Sequence, residues 1–228
     1  MSKRVYAFEP SKTTFEFLEK NISRSGLRNV VPMNFGLGGD PGKFTLTFAP
    51  SNRSGGFVSN HTKASSGHTT ETVVIRKMDE VLESNQSRVS FIKIDVEGFE
   101  GHVLRGATQT LASHRPIVVL ELNHWCLNAF QRTSIPDFFD FLRSIFPILL
   151  AVDNTGNSYL DLHSENEGLL GLVWVKMHVN QIFGSMQVRT FSRRYSSSRS
   201  PYARRWMTRI LLLSPSTKPS ETLFFGLQ

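Results

Sequence analysis

Three acidic residues, Glu9, Asp95 and Glu121, each follow a short apolar run of β-prone residues: VYAF, FIKI and IVVL. In an open sheet of parallel strands the carboxyl ends form the ligand crevice, so carboxylates placed there converge on one site. One surface carboxylate would mean little. Three at corresponding places point to function. Glu9 has a particular chemical fit, because a carboxylate accepts two hydrogen bonds from a vicinal diol, the group that nucleotide-type cofactors present in their ribose. The single cysteine, Cys126, excludes an internal disulfide framework and a cysteine-only zinc cluster.

The elements that position these groups are legible from periodicity. Val5 to Phe8 reads as a strand. Ser11 then caps a helix with Phe15, Leu18 and Ile22 on one face, and Gly26 suits the position after its last turn. Val30, Val31 and Met33 make a second strand. Asn34 to Gly42 is glycine-rich, and Phe44 to Phe48 alternates as a half-buried strand. Ser51 to Thr70 reads as an irregular loop, and Thr72 to Arg76 as another β run. Asp79 is the expected N-cap of a short helix through Leu82, before the near-continuous apolar strand Val89 to Ile94. Gly101 to Ala112 has helical spacing, Ile117 to Leu120 is a strand, and Phe138, Phe139, Leu142 and Ile145 mark a helix opened near Pro136. Ile148 to Val152 and Leu169 to Val175 read as the last strands. Alternation of strand and helix predicts an α/β sheet of parallel strands with helical crossovers.

The 228 residues suffice for one domain with an extension. Lys and Arg total 26 against 19 Asp and Glu, a net charge of +7. From Lys176 onward nine basic residues face Glu221 alone, which leaves 17 basic against 18 acidic in residues 1–175. The basicity belongs to the tail, so the core carries no nucleic-acid signature. The sequence divides into a domain at 1–175 and a Ser/Arg-rich extension at 176–228, read as flexible. Tyr195, Tyr202 and Trp206 interleave with arginines there, a composition suited to contact with polyanions or an anionic membrane. No run approaches the ~20 apolar residues of a membrane span, and residues 1–10 lack the apolar stretch of a signal peptide. Compartment and oligomeric state stay open.

VYAFEP, MDEVL, FIKIDVEGFEGHVLRGATQTL and RPIVVLEL, in this order and spacing, closely resemble the FkbM family of S-adenosylmethionine-dependent methyltransferases. The resemblance covers about residues 4 to 125. It implies a Rossmann-like class I methyltransferase sheet with helices on both faces. The implied reaction is O-methylation of a hydroxyl on a sugar or small-molecule acceptor. Glu9 matches the family's acidic residue for the cofactor ribose. Leu37, by loop position, falls where such enzymes contact adenine. Asp95 lies in the family's IDVEG segment, facing the transferred methyl group, with three roles open to it: orienting the acceptor hydroxyl, taking its proton, or holding a metal. Methyl transfer is an in-line displacement that needs alignment and proton removal, which makes Asp95 the leading catalytic candidate. Glu121 and His124 come next, since a hard-cation site of Asp95, Glu121 and Asn123 would resemble that of catechol-type O-methyltransferases. Packing or capping is the competing role for His124. Glu97 is expected to open the following helix, and Gly98 and Gly101 to serve a tight turn.

The departure from the family pattern lies at the start. The glycine-rich cofactor loop of this fold precedes the acidic residue by roughly 20 positions, and eight residues precede Glu9. The expectation is a sheet lacking its first strand and glycine loop, with little cofactor binding. Two other readings stand beside a methyltransferase: a non-catalytic remnant or scaffold, and a protein that binds RNA or membrane through its tail.

Overall fold

Arg4–Phe8 (β1) buries alternate side chains, Tyr6 and Phe8, as a strand with period-two patterning must. The Ser11 hydroxyl accepts from the Thr14 amide at 3.3 Å and starts Lys12–Arg24 (α1). Phe15, Leu18 and Ile22 half-bury one face of α1, and Gly26 takes φ +63° just after it. This crossover returns the chain to Val30–Met33 (β2), parallel to β1. β2 is an edge strand, where Pro32 costs no ladder bond on its free side.

The computed structural model describes residues 4–49, 52–59, 61–62, 64, 67–82, 88–146, 148–152, 158–162, 172–177 and 220–225. After β2 come Gly36–Leu37 (β3), Gly42–Ala49 (β4), Asn52–Val58 (β5) and Thr69–Arg76 (β6), which build a separate sheet in the order β3-β6-β4-β5. β5 corrects the reading of Ser51 to Thr70 as an irregular loop. Its run NRSGGFV has little intrinsic strand character, yet it pairs antiparallel with β4, with Leu46 opposite Val58. Phe57 and Val58 are buried at its end, and this packing overrides the weak local preference.

Met78–Leu82 (α2) leads to Arg88–Ile94 (β7), and Glu100–Arg105 (α3) with Thr108–His114 (α4) leads to Ile117–Leu122 (β8). Val89, Ile92, Ile94, Val118 and Leu120 are among the most buried side chains. Asp79 does not cap its own helix. Its carboxylate accepts from the Thr110 amide (2.9 Å), the Thr110 hydroxyl (2.7 Å) and the Gln109 amide (3.0 Å), capping α4, whose own N-cap residue Ala107 has no side-chain acceptor. His124–Gln131 (α5), Ile135–Ile145 (α6), Ile148–Val152 (β9), Ser158–Leu162 (β10), Leu172–Met177 (β11) and Ser220–Phe225 (β12) complete the described elements.

The main sheet runs β10-β9-β11-β8-β7-β12-β1-β2. All its pairs are parallel except β9 with β10. β11 crosses the expected boundary at 175, and it is not the last strand. β12, from the far end of the basic extension, lies between β1 and β7, parallel to both. The sheet expected to be open at this place is thus filled, by a segment from the opposite end of the chain. Of the remaining extension, 178–219 and 226–228, including Tyr195, Tyr202 and Trp206, lie outside the described residues. Among the described residues no helix is long and apolar enough to cross a membrane.

Candidate functional site

β12 sets the spacing of the site. Phe225 stands opposite Phe8, and Phe224 opposite Lys93, so the carboxyl end of β12 emerges between the strand that ends at Glu9 and the strand that ends at Asp95. On the other flank Ile94 pairs with Leu120, which brings Asp95 level with Glu121. The three carboxylates chosen from sequence therefore share one end of the sheet. Glu121 lies inside β8, which continues to Leu122, and is half-buried there.

Glu9 is 3% exposed. Its Oε1 accepts from the Ser11 amide at 2.7 Å, while Asn34 Nδ2 donates to its carbonyl at 3.0 Å, fixing the turn out of β1. Burial raises the carboxyl pKa to about 7, against the lowering effect of the Ser11 amide, and nearby Glu71 adds repulsion. Glu71 enters from β6: it accepts from the Ser11 hydroxyl at 2.8 Å and the Lys12 amide at 2.6 Å. Its role at the start of α1 has no local signal in sequence, because the contact joins β6 to a helix some 60 residues earlier in the chain.

Asp95 is paired with Lys93, Nζ to Oδ2 at 3.0 Å, with side-chain exposures of 12% and 33%. Residues two apart on an extended strand share a face, so the lysine is positioned by β7 to orient the carboxylate. The turn after Asp95 is held by Glu100, buried in the first turn of α3, whose Oε1 accepts from the Gly98 amide at 3.2 Å and the Val96 amide at 3.4 Å. Its Oε2 has no partner among the described residues, and burial raises the pKa to about 7. Glu100, and not Glu97, thus occupies the start of the helix. Glu97 sits in the turn at φ +49° and accepts from Cys126 Sγ at 3.0 Å and Asn123 Nδ2 at 3.5 Å. Burial and that carboxylate push the Cys126 thiol pKa up, so the thiol stays protonated. Gly98 is required: it has φ +93°, and a Cβ would stand 2.8 Å from the backbone of Cys126. Gly101 meets no such limit, since a Cβ there has only ordinary contacts.

Asn123 Oδ1 accepts from the Cys126 amide at 3.3 Å and caps α5. Among the described residues no group of three or more His, Cys, Asp or Glu side chains is arranged to hold a metal ion. His124 begins α5, half-buried, and its Nε2 is enclosed without a partner among the described residues. Leu37 is 3% exposed and belongs to the main apolar core, between the two sheets' elements.

Residues 1–156 match the family described as methyltransferase FkbM domain. Hexuronic acid methyltransferase AglP of Haloferax volcanii is 34% identical over 116 residues, 50% of this chain and 46% of that protein. Methyltransferase 1 of Beauveria bassiana is 29% identical over 119 residues, 45% of this chain and 48% of that protein. The chain spans about half the length of these curated relatives. No solved structure matches it.

Proposed function

The chain belongs to the FkbM methyltransferase family, and we propose from this that it binds S-adenosylmethionine at the end of β12 and methylates a hydroxyl of a sugar or small-molecule acceptor. The architecture proposed is the Rossmann-like class I methyltransferase sheet, with β12 standing where the family's first strand stands. The observation that carries the reading is the placement of Glu9 and Asp95 on the two strands flanking β12.

Glu9 fits the cofactor's ribose. It is a buried carboxyl with one oxygen anchored by a backbone amide, and burial raises its pKa. A vicinal diol would supply two donors. Leu37, the adenine contact expected from its loop position, is packed in the apolar core at 3% exposed and is not used in this scheme. The cofactor supplies an electrophilic methyl group. Asp95 orients the acceptor hydroxyl and takes its proton, with Lys93 holding the carboxylate in place; Glu121 and His124 line the neighbouring strand end, where they position the acceptor. A divalent metal is not needed for this scheme, because the proton acceptor is a side chain.

A sugar acceptor is favoured by the relative from Haloferax volcanii, whose name states a hexuronic acid substrate. The reading is tested by incubating the chain with S-adenosylmethionine and a panel of uronic acids and neutral sugars. Mass spectrometry should show gain of one methyl group on an acceptor oxygen, lost in Asp95→Asn. No methylated product from any hydroxyl acceptor, with the cofactor bound, would count against it.

A further inference from the structure

Beside the turn that follows Asp95 lies a cavity of about 260 Å³ between α3, α5 and α6. Gly98, three residues beyond Asp95, is in its lining, together with Arg105, Arg132 and His102. The two arginines come from different elements. Arg105 closes α3 and lies over the Phe141 ring at 4.7 Å; Arg132 caps α5 in the left-handed conformation, φ +53°. Neither forms an ion pair among the described residues. The one carboxylate in the lining, Asp137, is turned to Ser134, whose hydroxyl donates to it at 2.6 Å in the cap of α6. The His102 ring is fixed, stacked on Phe99 at 4.3 Å and hydrogen-bonded to Gln131.

Two arginines that line one concave site without an ion-pair partner among the described residues are matched by a ligand anion, which guanidinium binds through paired N–H donors. We propose that this cavity is an anion subsite that receives the carboxylate of an acidic acceptor, so that the acceptor's hydroxyl is held toward Asp95 across the Gly98 turn. The assignment of the acceptor rests on the methyltransferase reading; binding of the anion in the cavity does not. A sugar carboxylate and a sugar phosphate share the charge, and the volume accommodates either group with part of a ring. The carboxylate is chosen because the relative from Haloferax volcanii is named for a hexuronic acid, which carries one.

His102 supplies an internal reporter. Burial and the positive field of Arg105 hold its pKa below the usual histidine value; Asp40 opposes this and His61 adds to it. An anion seated between the arginines favours the imidazolium, so the His102 pKa must rise on binding.

The test is titration of the full chain with D-glucuronate, D-glucose and inorganic phosphate, followed by calorimetry and by NMR of the histidine ring. The expected result is binding of glucuronate with an upward His102 shift, no binding of glucose, and weakening by about tenfold in each of Arg105→Gln and Arg132→Gln, the scale of one lost charge-assisted pair. Both arginines are exposed, so neither substitution opens the core, and circular dichroism of each variant checks the fold. Glucose binding as well as glucuronate, glucuronate affinity kept in both variants, or phosphate bound while glucuronate is not, would each overturn the proposal. S-adenosylhomocysteine is titrated in parallel: its failure to bind, with the glucuronate result intact, would count against the methyltransferase reading and leave the cavity assigned.

Discussion

Phe8 and Phe225 stand opposite one another in parallel strands, although they come from the two ends of the chain. Phe224 faces Lys93 on the other side. This pairing makes β12 the spacer between the Glu9 strand and the Asp95 strand, and it removes two exposed edges from the middle of the sheet. The site therefore depends on a segment that contributes none of its candidate chemistry.

Breaking β12 should destabilise the whole domain. Leu223→Pro removes one ladder donor at a position paired on both sides, in a strand with no edge to tolerate it. A disruptive proline costs about 3 kcal/mol, and at about 2 to 4 °C per kcal/mol the expected loss in melting temperature is roughly 6 to 12 °C. Deleting residues 218–228 should do at least as much. Unfolding that is unchanged in both variants, measured by circular dichroism, would show that β12 carries no stability. Composition alone suggests the opposite outcome, since the tail reads as a solvated basic segment.

Glu100 should make stability fall as pH rises. A carboxyl raised from 4.5 to about 7 in the folded state contributes fully below pH 4.5, where folded and unfolded forms are both protonated. That contribution is lost as pH passes through 7, and the linked free energy is up to about 3 kcal/mol. Glu100→Gln keeps an acceptor for the Val96 and Gly98 amides without the charge. It should match or exceed the parent in denaturant stability at about pH 8, with a shallower pH slope. Glu9, raised in the same direction, retains part of the slope. A variant less stable than the parent at that pH would show that the ionised carboxylate is what the turn requires.

Cofactor affinity should depend on pH through Glu9. Diol hydroxyls donate to the ionised form, so below about pH 7 binding must first expel a proton. S-adenosylhomocysteine affinity should rise toward pH 7 and level off above it. Glu9→Gln should weaken binding by about 1 to 3 kcal/mol at high pH and flatten the profile. Calorimetry in buffers of different ionisation enthalpy reads the proton directly; a flat profile in the parent would remove Glu9 from the ribose role.

Asp95→Asn should separate turnover from binding. The carboxylate is assigned to the acceptor proton, so kcat should fall by about 100-fold or more while cofactor affinity changes little. Lys93→Met should also lower kcat, because it removes the ammonium paired with that carboxylate at 3.0 Å. Loss of cofactor affinity with turnover preserved at saturation would assign Asp95 to cofactor binding.

Much of the fold follows from local signals. β1, α1, β7, β8 and α6 are visible because their apolar spacing, caps and glycines lie within one element, as with Ser11 before α1 and Ser134 before α6. β5 and β12 are not visible in that way. Asn52–Val58 is held by its hairpin partner and Ser220–Phe225 by two strands distant in sequence, so their pairing has no local period strong enough to mark it. The same holds at the site: Glu9 and Asp95 are legible as strand-end carboxylates, whereas Glu71, Glu100 and the Arg105–Arg132 cavity arise from contacts between elements. Asp79 shows the limit well. Its residue type signals a cap, and only the packing of α2 against α4 tells which helix it caps.

The central claim is that β12 completes a cofactor site between Glu9 and Asp95. It is tested most directly by isothermal titration of the 228-residue chain with S-adenosylhomocysteine, beside a chain ending at residue 217. The account predicts one-to-one binding by the full chain in the micromolar range, about −7 to −8 kcal/mol, and none by the shortened chain. A folded, monomeric full chain that does not bind, or a shortened chain that binds equally well, would contradict it.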